Sequence, residues 1–266
     1  MLYAGIILIV LGVVLFFVRR SQQARLLDIR FVQTTTAKDL MELAKSVQEG
    51  VGRAGGFCQQ VELKGAIQSE TELLSEIAKL PCVYYRAEIT REYEEVYSET
   101  NPETKQVERK TRRSSEVISS NSRMANFYLQ DSTGKVLVNP KGADLGKETV
   151  VDRFEANRSG GSGSIDFGNF HFSLSGISGG GGTLGYRFHE EILPVGRSVY
   201  VLGEASDNSG QLIVQKPAEK GRYIISLKSE DELVKSASSS VQWTLYGAIL
   251  CGVAGVVLVV IGLIRP

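Results

Sequence analysis

Cysteine and histidine are scarce. The 266 residues hold three cysteines, Cys58, Cys82 and Cys251, and two histidines, His171 and His189. No C-x-x-C or other paired spacing occurs, so neither a disulfide framework nor a zinc knuckle is expected, and a single Cys58 to Cys82 bridge stays open. His189, Glu190 and Glu191 lack the second histidine that a helical zinc-protease site needs, and two histidines leave little for a metal site or a nucleophile relay. No metal, cofactor or catalytic residue is therefore expected. An excess of one charge is missing too: 30 basic and 30 acidic side chains cancel, which excludes nucleic-acid binding by bulk charge and a disordered polyanion.

The two ends lack charge altogether. Residues 2–18 and 245–264 contain no Asp, Glu, Lys or Arg, and every acidic residue lies between them. At 1.5 Å per residue these runs reach roughly 25 and 30 Å, against a hydrocarbon core of about 30 Å. Phe16, Phe17, Val18, Arg19 and Arg20 close the first run where a signal peptide would place small residues, so it is expected to be an anchor. The fold class expected is α+β: a mainly antiparallel β soluble domain between two transmembrane α-helices. Near the bilayer the domain side carries Arg19, Arg20, Arg25, Arg30 and Lys235, and the tail side only Arg265, which points to a cytoplasmic domain in a two-span integral membrane protein. In the second run Gly247, Cys251 and Gly255 recur every fourth residue, with Ala248 and Gly252 one step round. This helix-packing stripe suits the first span, through Gly5 and Gly12, or a second copy in a homo-oligomer.

The expected organisation is a first span at 1–20, a juxtamembrane helical segment at 21–56, a β-rich domain at 57–228, a connecting helix at 229–244 and a second span at 245–266. Thr36 and Asp39 fit a capping box before Leu40, Leu43, Ala44 and Val47, which predict a helix up to Gly50 packed on the domain. Alternating apolar runs predict strands at 83–93, 186–192, 198–204, 211–215 and 223–227, a strand at Val61, Leu63 and Ile67, and a hairpin closed by Asp131-Ser132-Thr133-Gly134. Asn101-Pro102 separates acidic residues 92–99 from basic residues 105–113, predicting a long charged hairpin. Residues 159–185 are rich in glycine and serine and are expected to form a mobile surface excursion pinned by Phe167, Phe170 and Phe172. Ser229 begins a helix that can continue into the membrane.

Two phosphate-binding patterns are rejected. Gly180, Gly182 and Gly185 spell G-x-G-x-x-G, but a strand pattern follows where a nucleotide site requires a helix. Gly142, Gly146 and Lys147 are one residue short of a phosphate loop, and Glu148 stands where Ser or Thr should bind magnesium.

Two stretches occur together: Leu80-Pro81-Cys82-Val83-Tyr84-Tyr85-Arg86-Ala87-Glu88-Ile89, and Glu191-Ile192-Leu193-Pro194-Val195-Gly196-Arg197-Ser198-Val199-Tyr200-Val201-Leu202-Gly203-Glu204-Ala205. They resemble the GIDE-type, or beside-a-membrane, domain of the mitochondrial membrane-anchored E3 ubiquitin ligases and their prokaryotic relatives. The resemblance implies a domain set between two transmembrane helices and, in the ligases, facing away from the cytosol, opposite to the charge rule. Ligase members carry a RING finger after the second helix; here Arg265-Pro266 follows it, with no RING residue to carry over. The expectation is a non-catalytic module binding a protein or membrane-derived ligand beside the lipid bilayer, with Tyr84, Tyr85, Arg86, Arg109, Lys110, Arg112 and Arg113 as candidate contacts. Ligase activity by family membership and a homo-oligomeric scaffold are the rival readings. A bland account also exists, in which Pro194-Val195-Gly196 is a turn, Gly203 a close backbone approach and the tyrosines sheet residues.

Overall fold

The structure, a computed structural model, describes residues 2–31, 34–51, 55–71, 73–103, 105–157, 164–167, 170–173, 182–219 and 221–264. The chain begins with helices α1 (Leu2–Phe31) and α2 (Ala37–Val51). Strands follow in the order β1 (Cys58–Gln68), β2 (Leu73–Leu74), β3 (Pro81–Thr100), β4 (Val107–Met124), β5 (Phe127–Gln130), β6 (Lys135–Val138), β7 (Asp144–Leu145), β8 (Glu148–Ala156), β9 (Ser164–Phe167) and β10 (Phe170–Ser173). The last elements are β11 (Thr183–Pro194), β12 (Ser198–Ser206), β13 (Ile213–Gln215), β14 (Ile224–Ser226) and α3 (Glu230–Ile264).

Five of these strands close on themselves. β1 pairs with β5 and β12, β5 with β6, β6 with β13 and β13 with β12, and this ring makes a small barrel. β14 pairs with β12 and carries β7. The contacts β6–β13 and β7–β14 are parallel, and the other ladders are antiparallel, so the domain is β-rich and mainly antiparallel. Alternation along β1 and β12 sends Val61, Leu63, Val199 and Val201 into a core shared with Phe127, Leu129, Val136 and Ile225. Gly203 sits where the Tyr223 ring crosses the sheet: a Cβ there would lie 2.8 Å from the ring. The Tyr223 hydroxyl donates to the carbonyl of Asn139 at 2.6 Å, and burial raises its pKa.

Helix α2 belongs to this core through Ala37, Leu40 and Ala44. Its start is capped twice. The Thr36 hydroxyl accepts the Asp39 amide at 3.1 Å, and the carboxylate of Asp131, from the β5–β6 turn, accepts the Ala37 amide at 2.7 Å. Asp131 also accepts the amides of Thr133 and Gly134. Partial burial raises its pKa, but these bonds together outweigh that effect and hold the carboxyl below its ordinary value. A depressed folded-state pKa makes this contribution complete above pH of about 4 and loses it as acid protonates the folded form. Asp131→Asn should remove that acid-side dependence, and Asp131→Ala should cost about 1 kcal/mol of stability in denaturant titrations at neutral pH.

A second sheet, in the order β2-β3-β11-β8 with β4 also on β3, has its own core of Ile77, Tyr85, Ala87, Ile89, Val151, Tyr186, Phe188 and Ile192. At about 3.3 Å per residue β3 is roughly 65 Å long. Its last residues, with β4, extend past the Tyr93 to Thr183 pair that ends the β11 ladder as a two-stranded ribbon. β8 was not expected from the sequence, and β4 runs far beyond the basic stretch, to Met124. β9 and β10 pair inside the glycine-rich region, where no ordered strands were expected. The rest of that region, 158–163, 168–169 and 174–181, and the pinning assigned to Phe167, Phe170 and Phe172, lie outside what is described. Cys58 is exposed and Cys82 buried, both as free thiols, so the bridge left open by the sequence is not formed.

Helix α3 is continuous for 35 residues, and Ser229 and Glu232 exchange capping-box bonds at its start. Among the described residues one helix segment, Gln242–Gly262, is long and apolar enough to cross a membrane, while Tyr3–Val18 is a shorter apolar stretch. The two helices lie side by side and antiparallel: Gly5 meets Gly255 and Val259, Gly12 meets Ala248 and Gly252, and Gly247 meets Leu15.

Candidate functional site

The two motif stretches converge in space. Pro194 pairs with Cys82, and the Val195 amide donates to the Pro81 carbonyl. Tyr85 does not present a free contact surface: it is a buried member of the second core, its hydroxyl 3.5 Å from the Asn121 amide nitrogen. Burial, then the charge of Glu76, raises its pKa. Tyr84 packs partly buried against the barrel core. Arg86 is exposed and bonded to Glu88 at 2.6 Å, which raises its pKa.

The most polar interior feature of this sheet is Glu190, fully buried on β11. Its carboxylate accepts the Ser75 hydroxyl at 3.0 Å and the amides of Ile77 and Ala78 at 2.7 and 2.8 Å. Those bonds fasten the loop between β2 and β3 over the core. Burial, with Glu190 nearby, pushes the Cys82 thiol up to about 11, which suppresses the thiolate and its reactivity. His189, the neighbour of Glu190, is half-buried and 3.9 Å from Glu191. The side chain of His171 lies outside the described residues. Gly146 donates its amide to Ile225, Lys147 pairs with Glu191, and strand β8 follows, so no phosphate loop forms there.

The basic stretch is divided by the strand's two-residue period. Directly opposed residues share a face, and the register sets Arg109 opposite Ser98, Lys110 opposite Tyr97, Arg112 opposite Glu95 and Arg113 opposite Glu94. Lys110 and Arg112 therefore lie on the face that continues Tyr85, Ala87 and Ile89. There Lys110 pairs with Glu99 at 2.6 Å, while Arg112 pairs with Glu95 at 2.8 Å and lies over the Tyr97 ring. Arg109 and Arg113 lie on the opposite face, with Arg113 4.0 Å from Glu94. The four cations are not one surface, because neighbours on a strand point oppositely.

The largest of the cavities among the described residues, about 850 Å³, lies at the foot of the barrel, against the start of α3. Lys64, Ser198 and Tyr200 line it from β1 and β12, Asp131 from the β5–β6 turn, and Lys228 and Glu232 from the α3 entry. Two of these side chains hold a buried carboxylate: Glu62 accepts the Tyr200 hydroxyl at 3.0 Å, with Lys64 at 3.2 Å, and also accepts the Thr34 hydroxyl at 2.5 Å. Thr34 stands three residues after α1, and the Thr35 amide bonds the Glu62 carbonyl. The cavity wall is thus tied to the end of one helix and formed in part by the beginning of the other. Sequence reading missed Glu62, which looks like an outward strand residue between Val61 and Leu63.

The family model described as "GIDE: E3 Ubiquitin ligase" matches residues 96–261, more than half of the chain, from the ribbon into α3. The chain belongs to the GIDE family. No curated protein and no solved structure matches it significantly. In this GIDE-family chain, no group of three or more His, Cys, Asp or Glu suited to a metal ion occurs among the described residues.

Proposed function

We propose that the chain is a two-span membrane protein whose GIDE domain is a non-catalytic binding or sensing module held beside the bilayer, with the foot cavity as its ligand site. The observation that carries this reading is the antiparallel seat of α1 on the candidate span of α3. Gly5 and Gly12 bring the short apolar stretch of α1 along that span. Ile7, Val10, Phe17, Leu250 and Val253 are left exposed, an apolar belt that a bilayer would cover. Both chain crossings then enter the domain at the foot cavity, where an occupant would touch Lys64, Tyr200 and the α3 entry together. The excess of arginine on the domain side supports a cytosol-facing domain.

The family description favours a second reading, ubiquitin ligase activity. Purified protein added to a charged conjugating enzyme separates the two. A binding module leaves the rate of ubiquitin discharge unchanged, and a rate that rises with added protein would replace the first reading by the second. Release of the chain from vesicles by alkaline carbonate would remove the membrane anchor from both. The homo-oligomer reading rests on the Gly247, Cys251 and Gly255 stripe, of which Gly247 and Gly255 meet α1 of the same chain, and crosslinking through Cys251 in membranes tests it.

A further inference from the structure

The two faces of the distal ribbon are chemically unlike. On the face continuing the sheet core, Lys110 and Arg112 are neutralised by Glu99 and Glu95. The other face carries Val96, Ser98, Thr100, Val107, Arg109, Thr111 and Arg113, with Glu94 its only acid among the described residues of that distal segment. Val96 and Val107 are 66% and 67% exposed, and Val117, further back on the same face beyond Glu92 and its partner Arg187, is 58% exposed. Two bare valines beside two arginines are an unusual use of a solvated ribbon. β-Branched residues stiffen the strands, but nothing among the described residues covers them.

We infer that this Val/Arg face docks on the surface of an anionic bilayer, the valines at the headgroup boundary and Arg109 and Arg113 on lipid phosphates. The inference rests on the membrane-anchored reading above. Three observations select this occupant. No described cavity lies on the face, whereas a bound peptide strand takes its specificity from side-chain pockets. A second copy stacked face to face would set arginine against arginine. A bilayer is always at hand, because about 18 Å of helix separates the start of α3 from its candidate span.

The test uses the full chain reconstituted in nanodiscs, with a fluorophore on Thr100→Cys in a Cys58→Ser, Cys251→Ser background and with headgroup-quencher lipids. Quenching is expected to be stronger with about 30% phosphatidylserine than in neutral lipid and to weaken with salt. Arg109→Gln with Arg113→Gln should lower the docked-to-undocked ratio about 25-fold, at about fivefold per cation, and Lys110→Gln with Arg112→Gln should change it less than twofold. Equal quenching in neutral and anionic discs, or equal loss in both double variants, overturns the inference. Capture of a polyglutamate peptide by Arg109 and Arg113 without lipid quenching also overturns it, giving the face to an acidic protein segment. A chain that does not co-purify with the discs would instead refute the anchored reading.

Discussion

Glu190→Ala is expected to destabilise the GIDE domain by about 3 to 4 kcal/mol, measured by denaturant unfolding. Three donors lose their acceptor at once, in a place water cannot readily reach, and each unsatisfied buried donor costs about 1 to 3 kcal/mol. The sum falls short of the full penalty because the loop between β2 and β3 can open and hydrate its own amides. That opening gives a second readout. Cys82, under the same loop, should be alkylated much faster in the variant at pH 8, whereas in the native protein its raised pKa leaves about one thiolate in a thousand. Glu190→Gln keeps an acceptor oxygen and should lose less. Equal stability of Glu190→Ala and the native chain would show that the carboxylate does not hold the loop.

The second large effect concerns the helix pair. Gly255→Leu should separate α1 from α3, because even a Cβ at that position would stand 3.0 Å from the Gly5 carbonyl oxygen and 2.8 Å from Ile9. Gly5→Leu meets the Gly255 carbonyl at 2.8 Å and should do the same. Gly252→Ala, with open space around its Cβ, should be tolerated. The reporter is a disulfide between cysteines placed at Leu15 and Gly247, in a Cys251→Ser background. The Leu variants should lower its yield at least fivefold, in line with the about 1 to 2 kcal/mol of contacts at membrane helix crossings. Equal yields in the Gly255→Leu and Gly252→Ala chains would deny that backbone proximity holds the pair.

Period-2 alternation made most of the strands readable, and capping residues placed the starts of α2 and α3. Closure of the barrel was not readable, since it depends on the parallel β6–β13 contact between segments far apart in sequence. β8 was missed because Glu148, Asp152, Arg153 and Glu155 make it look like a solvated loop; it is the other neighbour of β11. Glu62 and Glu190 were invisible as buried groups for a related reason: a charged residue between apolar ones reads as the wet face of a strand, and only tertiary cover from Thr34 and the 75–78 loop makes it interior. The basic stretch was overread. Its cations are adjacent in sequence, and adjacency on a strand separates side chains instead of gathering them. The glycine stripe was legible as a contact surface, but its partner could be chosen only once Gly5 was seen against Gly255.

The proposed function requires α1 and α3 to cross one bilayer together, with the β domain on a single side. Epitope tags at the two ends, probed with protease in sealed vesicles, address it directly. The prediction is that both tags are digested or spared together, and that the domain shows the opposite protection. Tags on opposite sides, or a tag protected together with the domain, would contradict it.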